Sequence, residues 1–328
     1  MNKILIIDPG KGWGHFVSKM YCYQKLAESL NSKIVFLTKS STQAADYLKS
    51  TNFCEDVIYL NESKKGFLNI LDYIKCFVAN IYKIKKFSYK YCFVFHPSLR
   101  YLLIANFSNA KKIWALGSKF QNFFVKKDRK LYSNFFSKTV KNDNETFEFV
   151  KKITQTSSIK FKPLHSIDQN LRDTVGIIIA ASGKEKRWSI DNYIEIIDFL
   201  KKKNYKKFLI ISGIDQLEEE KLIKKSFKDE LNFIFTANKK INEVIPDLKS
   251  CQFCIGNDTG FSHLSVNLDI ETLIILGNCS PQSYSSLIHN IDIDNDTKRS
   301  NTSIHKIETK TVLKKLSEFL HGRDGRVV

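Results

Sequence analysis

The chain has 328 residues, 43% of them hydrophobic, and a formal net charge of +18. That length suits two domains better than one core, and the apolar fraction excludes a globally disordered chain. Residues 1–150 hold 24 basic against 11 acidic residues, a balance of +13, whereas the remainder holds 28 against 23, or +5. A basic half fits an acidic partner such as a membrane surface or a phosphorylated glycan. No nucleic-acid-binding signature accompanies the charge, and a solvated lysine-rich surface is the plainer reading.

In chain order, Lys3–Ile7 is a β-branched run closed by Pro9-Gly10 and predicts a buried first strand. A helix is expected over 18–30, a strand over 33–38, a helix over 42–50 and a strand over 57–60. A longer helix with a basic flank covers 68–85, followed by strand 91–96, helix 99–106 and strand 112–116. The Phe-, Lys- and Asn-rich stretch 118–147 reads as a loop, and the aperiodic stretch 157–172 as the domain boundary. The second half restarts the pattern, with strands over 175–180, 207–212, 232–235, 253–255 and 272–276. Helices over 190–202, 217–227, 242–250, 261–267 and 309–320 complete it.

Strands alternating with helices predict an α/β protein with parallel sheets covered on both faces. Residues 1–160 and 161–320 are expected to form two Rossmann-like domains facing a central cleft, with 309–320 as a closing helix and 321–328 as a disordered tail.

The seven cysteines are scattered and lie mostly in apolar runs, as reduced core thiols do in a cytosolic protein. Cys251-Gln-Phe-Cys254 has no second ligand pair for zinc and reads as buried strand cysteines. No signal peptide is read, and no apolar stretch reaches the roughly 18 residues that span a bilayer. The expected location is cytoplasmic, with any membrane contact peripheral.

Three loops could carry chemistry. Asp8-Pro-Gly-Lys-Gly-Trp-Gly-His15 joins the first strand to the first helix. Its glycines admit close approach of a ligand, but the spacing is neither a dinucleotide fingerprint nor a Walker loop. Ala181-Ser-Gly-Lys-Glu-Lys-Arg-Trp188 places a hydroxyl and several cations after a strand, which suits phosphate oxygens; a basic surface turn is the plain alternative. Gly256-Asn-Asp-Thr-Gly-Phe-Ser-His263 sets Asp258 and Thr259 at helix-cap positions, with the first-turn amides free to meet an anion.

Lys186-Arg187-Trp188 after Ala181-Ser182, Asp258-Thr259-Gly260 with Ser262-His263, and Arg100 within 91–117 are together similar to a known family. The chain resembles glycosyltransferase family 9, the ADP-heptose:lipopolysaccharide heptosyltransferases, which have the GT-B fold of two Rossmann-like domains.

The resemblance implies an inverting, metal-independent transferase that needs no cofactor. Its donor would be a nucleotide diphosphate sugar, ADP-heptose being one candidate, and its acceptor an anionic glycan or glycolipid such as lipopolysaccharide core, O-antigen or capsule. It would work at the inner face of the bacterial inner membrane. Ser182 and Lys186 would hold the donor diphosphate, Glu218 the ribose, and Asp258 the sugar hydroxyls. Thr259, Gly260 and His263 would cradle phosphate. Lys11, Gly14 and Arg100 are acceptor-side candidates.

The family commonly has Gly-Asp in the first loop, its Asp proposed as base. Allowing one inserted residue, this chain has Gly14-His15 there. His15 is then the expected base, with Asp8 as the alternative. The departure also motivates a second reading, a noncatalytic sugar-nucleotide or glycan-binding relative. A Rossmann oxidoreductase would need an acid ending the second strand, and Lys39 lies just past it.

Overall fold

The structure is a computed structural model describing residues 2–10, 12–49, 51–63, 70–116, 130–132, 148, 150–151, 153–155, 172–227, 232–277, 281–292 and 303–324. The chain divides into two compact units, Met1–Ile159 and Lys160–Val328.

Unit one contains β1 (Asn2–Ile7), α1 (Trp13–Val17), α2 (Met20–Ser29), β2 (Ser32–Thr38), α3 (Ala45–Leu48), β3 (Cys54–Tyr59), α4 (Ile70–Ile84), β4 (Tyr91–Val94), α5 (Leu99–Asn106), β5 (Lys112–Ala115) and β6 (Lys130–Tyr132). Ile4 to Ile7 are fully buried because helices cover both faces of a parallel sheet, so the strand reads as a continuous apolar run rather than an alternating one. All pairings are parallel, in the order β3-β2-β1-β4-β5-β6.

Unit two contains β7 (Thr174–Ile178), α6 (Ile190–Lys202), β8 (Lys207–Ile211), α7 (Leu217–Phe227), β9 (Asn232–Phe235), α8 (Ile241–Lys249), β10 (Cys251–Asn257), α9 (Gly260–Asn267), β11 (Glu271–Ile275), β12 (Ile288–Ile291) and α10 (Thr309–Asp324). In α6 the buried positions Tyr193, Ile196, Ile197 and Leu200 recur at helical spacing and form one core-facing stripe. The sheet order β12-β11-β10-β7-β8-β9 is that of unit one read from the other edge. Each sheet is doubly wound, and its strand order reverses between β1 and β4 or between β7 and β10.

Cys251 and Cys254 are buried free thiols on β10. They pack beside Gly176, where an added Cβ would lie 2.5 Å from the Cys254 Sγ. Among the described residues, no helix is long and apolar enough to cross a membrane.

The structure corrects the sequence reading in four places. The helix expected over 18–30 begins earlier, at Trp13, and breaks at Ser18–Lys19, where the Lys19 side chain turns inward. β6 pairs with β5 inside the stretch read as a loop, the rest of which lies outside the described residues. β12 went unread because its His289-Asn290 interior breaks the apolar pattern at a sheet edge. Of the tail expected to be disordered, residues 321–324 continue α10, and 325–328 lie outside the described residues. The helix end is anchored by Arg323, which donates to the Gln252 carbonyl at 2.9 Å and lies over the Phe253 and Phe319 rings.

Candidate active site

In a doubly wound sheet, ligands bind beyond the carboxyl ends of the strands that flank the order reversal. In unit two those strands are β7 and β10, and the loops after them are Ala181–Arg187 and Asp258–Thr259. The topology therefore brings both sequence-predicted donor loops to one place.

Asn257 joins them. It is fully buried at the end of β10. Its Oδ1 accepts from the Trp188 main-chain N–H at 3.1 Å and the Tyr193 hydroxyl at 2.9 Å, while its Nδ2 donates to the Ile179 carbonyl at 2.8 Å. Trp188 is buried and donates its indole N–H to the Ile307 carbonyl at 2.8 Å, closing the far end of the basic loop. Gly256 permits this approach, because a Cβ there would lie 2.1 Å from the Ile178 carbonyl oxygen.

Between these anchors Ser182, Lys184 and Lys186 are exposed. Arg187 is committed elsewhere. Its guanidinium pairs with Asp215, holding that carboxyl below its ordinary range, and also donates to the Ala181 carbonyl at 3.3 Å. Lys186 and Lys184 thus keep their ammonium groups toward solvent, while Arg187 ties the loop to the segment after β8.

α9 is capped by Thr259, whose hydroxyl accepts from the Phe261 N–H at 3.2 Å. Ser262 donates to the Asn257 carbonyl at 2.6 Å. His263 is nearly buried, with Nε2 3.3 Å from the Asp258 Oδ1 and Nδ1 2.8 Å from the Tyr284 hydroxyl. Asp258, Thr259, Gly260 and His263 therefore form one cluster at a helix N-terminus.

Glu218 stands apart from that cluster. It is exposed on the first turn of α7 and pairs with Lys221 at 2.7 Å. Two residues on, Glu220 is buried and accepts from the Ser212 hydroxyl and from the N–H groups of Thr236 and Ala237 at 3.2 and 3.0 Å.

In unit one the reversal lies between β1 and β4. Asp8, just past β1, is 1% exposed. Its Oδ2 accepts from the Lys19 ammonium at 3.0 Å and the Tyr23 hydroxyl at 2.5 Å, and its Oδ1 from the Gly10 N–H at 3.2 Å. Burial and the neighbouring Asp8 charge push the Tyr23 phenol well up, so it remains a donor. Gly14 and the backbone of His15 lie in α1; the His15 side chain and Lys11 lie outside the described residues. Arg100 lies over the Tyr101 ring and donates to its hydroxyl, and Glu62 faces both Arg100 at 3.8 Å and Lys39 at 2.9 Å.

His96, at the end of β4 and four positions before Arg100, was missed as a candidate. It is half-buried and its Nδ1 accepts from the Ser98 N–H at 3.1 Å. Burial holds its imidazole below the ordinary value; Asp8 opposes this, and Arg100, Lys19 and Lys39 add to it. Its place after a strand, beside Pro97, was the available signal. Asn257 meets its partners only across 64 to 78 positions, and Tyr284 reaches His263 from 21 positions away, with no local pattern to announce either.

Comparison with curated protein sequences gives no match. Among solved structures, a family 9 glycosyl transferase from Veillonella parvula superposes with a TM-score of 0.73 at 14% identity, covering 98% of each chain. The E. coli heptosyltransferase WaaC, solved with ADP-2-deoxy-2-fluoro heptose, gives 0.72 at 13%, covering 96% of this chain and 99% of its own. E. coli ADP-heptose lps heptosyltransferase II gives 0.70 at 15%, covering 98% and 99%. These likenesses show the fold, which is GT-B. The sequence profile of glycosyltransferase family 9 (heptosyltransferase) matches residues 104–313, more than half of the chain. The chain belongs to glycosyltransferase family 9 and is a glycosyltransferase of the GT-B fold.

Proposed function

We propose that the chain moves a sugar, with inversion, from a nucleotide diphosphate donor held by unit two to an anionic bacterial surface glycan, such as lipopolysaccharide core, held by unit one. The observation that carries this is the Asn257 clamp. It sets the exposed Lys186 loop and the capped N-terminus of α9 beside one another at the order reversal of the sheet. ADP-heptose is the first donor to test, since WaaC was solved with a fluorinated form of it.

In this scheme the acceptor hydroxyl attacks the anomeric carbon, its proton passes to His15, and the bond to the diphosphate breaks with the electron pair leaving on phosphate. Lys186, Ser182, the α9 amides and His263 would meet the charge that develops there. Protein cations and amides offset that charge, so the scheme routes no step through a metal. Asp258 would read sugar hydroxyls and Glu218 the ribose. Lys11, Gly14 and Arg100 would face the acceptor.

The saturation of Asp8 by Lys19, Tyr23 and Gly10 supports His15 over Asp8 as base, because an oxygen already holding several donors is a poor proton acceptor. Calorimetry with ADP, adenosine and ADP-heptose, followed by a donor-consumption assay with truncated lipopolysaccharide, tests the reading. Diphosphate-dependent binding and acceptor-dependent turnover are expected. Binding of neither nucleotide would overturn it.

A further inference from the structure

Helix α4 presents an outer face that a surface helix in water does not ordinarily show. Ile70, Leu71, Ile74, Val78 and Tyr82 are 64, 72, 50, 57 and 71% exposed. At 3.6 residues per turn these five fall within an arc of about 120°. The exposed Lys75 lies about 20° beyond its edge, and the exposed Lys85 and Lys86 sit in the turn that follows the helix. Asp72, the helix's acidic residue, lies outside the arc. The patch continues onto Phe107 at the end of α5, which is 50% exposed and meets Phe77 edge to face at 6.1 Å. The exposed Lys111 and Lys112 follow it.

The helix is not free to roll this face inward. On its inner side Asn80 is buried, its Oδ1 accepting from the Asn61 N–H at 2.8 Å and its Nδ2 donating to the Asn61 carbonyl at 3.0 Å. Lys83 donates to the Tyr59 carbonyl and the Asn61 Oδ1, both at 2.8 Å. Ile84 is fully buried and Phe77 packs on the unit-one core. Asn80 and Lys83 are held on the inner side together with Phe77 and Ile84, which leaves five further apolar side chains facing outward.

We infer that the outer face of α4 is a docking surface for an anionic phospholipid bilayer. Apolar side chains centred on Ile74 and Val78 enter the interfacial region, and Lys75, Lys85 and Lys86 extend their ammonium groups to lipid phosphates. Charge complementarity selects this occupant. Two copies of the face brought together would set lysines against lysines with no acid in the arc to pair them. An anionic bilayer satisfies both the apolar centre and the cationic rim. The inference is independent of the transfer scheme, and its test uses neither donor nor acceptor, so either can fail alone.

The test is co-sedimentation of the full chain with vesicles of mixed phosphatidylglycerol and phosphatidylethanolamine, and with vesicles of phosphatidylcholine alone. The expected result is salt-sensitive binding to the anionic vesicles only. Both Ile74→Gln/Val78→Gln and Lys75→Gln/Lys85→Gln/Lys86→Gln should lower it by about tenfold or more. The substituted side chains are exposed, so both variants should keep the wild-type melting temperature. Equal binding to phosphatidylcholine overturns the inference, as does unchanged binding by either variant. A wild-type dimer in sedimentation equilibrium that Ile74→Gln/Val78→Gln returns to monomer also overturns it, by making the face a self-association surface.

Discussion

The Asn257 carboxamide accepts the Trp188 main-chain N–H at 3.1 Å across 69 positions of sequence, and so fixes the end of the basic loop to the strand that leads into α9. The same side chain accepts from Tyr193 and donates to Ile179. Asn257→Ala should leave the buried Trp188 N–H without its acceptor, whereas the Tyr193 hydroxyl keeps the Ile178 carbonyl and the Ile179 carbonyl keeps Gln216, and so destabilise unit two by about 1–3 kcal/mol. Chemical denaturation checks this, and a loss below about 1 kcal/mol would mean that the clamp is not what holds the loops.

Gly256→Ala tests the strand approach beneath the clamp. Its Cβ would press on the Ile178 carbonyl at 2.1 Å, and backbone must move to relieve it. A cost of about 1–3 kcal/mol or more is expected. Gly322→Ala is the contrast, because it lies in α10 with open space around a built Cβ. It should be neutral or stabilising by up to about 1 kcal/mol. Similar melting temperatures for the two variants would contradict the packing argument.

Lys186 and Arg187 are adjacent cations with opposite expectations. Lys186→Ala should weaken ADP binding by about 1.5–3 kcal/mol while leaving adenosine binding nearly unchanged. Arg187→Ala removes the tie to Asp215 and the Ala181 carbonyl, so it should lower stability as well as affinity. Calorimetry showing equal losses for ADP and adenosine in Lys186→Ala would remove that residue from phosphate binding.

His15→Ala should reduce turnover by about 10²-fold or more while donor affinity stays close to wild type. Asp8→Asn should instead lower stability, because it leaves the buried Lys19 ammonium without its anion. The decisive measurement is turnover and thermal melting of both variants. A stable Asp8→Asn protein without activity, alongside an active His15→Ala protein, would move the base to Asp8.

His96 predicts a pH dependence. Its folded-state value lies below the ordinary 6.5, so as pH falls below 6.5 the unfolded chain takes up this proton before the folded chain does. Its contribution to stability is complete above that value, declines through the window down to its folded-state value, and then levels off. His96→Gln should flatten this portion of the curve. Denaturation midpoints at pH 7.5 and about 5.5, compared between wild type and variant, give the answer. An unchanged difference would show that His96 is not desolvated.

Local chemistry in the sequence was enough for the alternating strands and helices. Runs such as Ile4–Ile7 are apolar because both sheet faces are covered, and Tyr193–Leu200 repeats at helical spacing because one face is. The loops that follow β7 and β10 were legible for the same reason, since glycine, hydroxyl and cation placement is a property of neighbours in the chain. The tertiary structure alone decided which partners the polar residues meet. Only in the fold do Lys19 and Tyr23 reach Asp8, and only there does Asp215 meet Arg187. Asn257 has no partner nearby in sequence, and its role exists only when residues 69 and 78 positions away fold onto it. The outward apolar face of α4 was hidden for a related reason. Periodicity shows that a helix has an apolar stripe, but the anchoring of Asn80 to Asn61 decides that this one points away from the core.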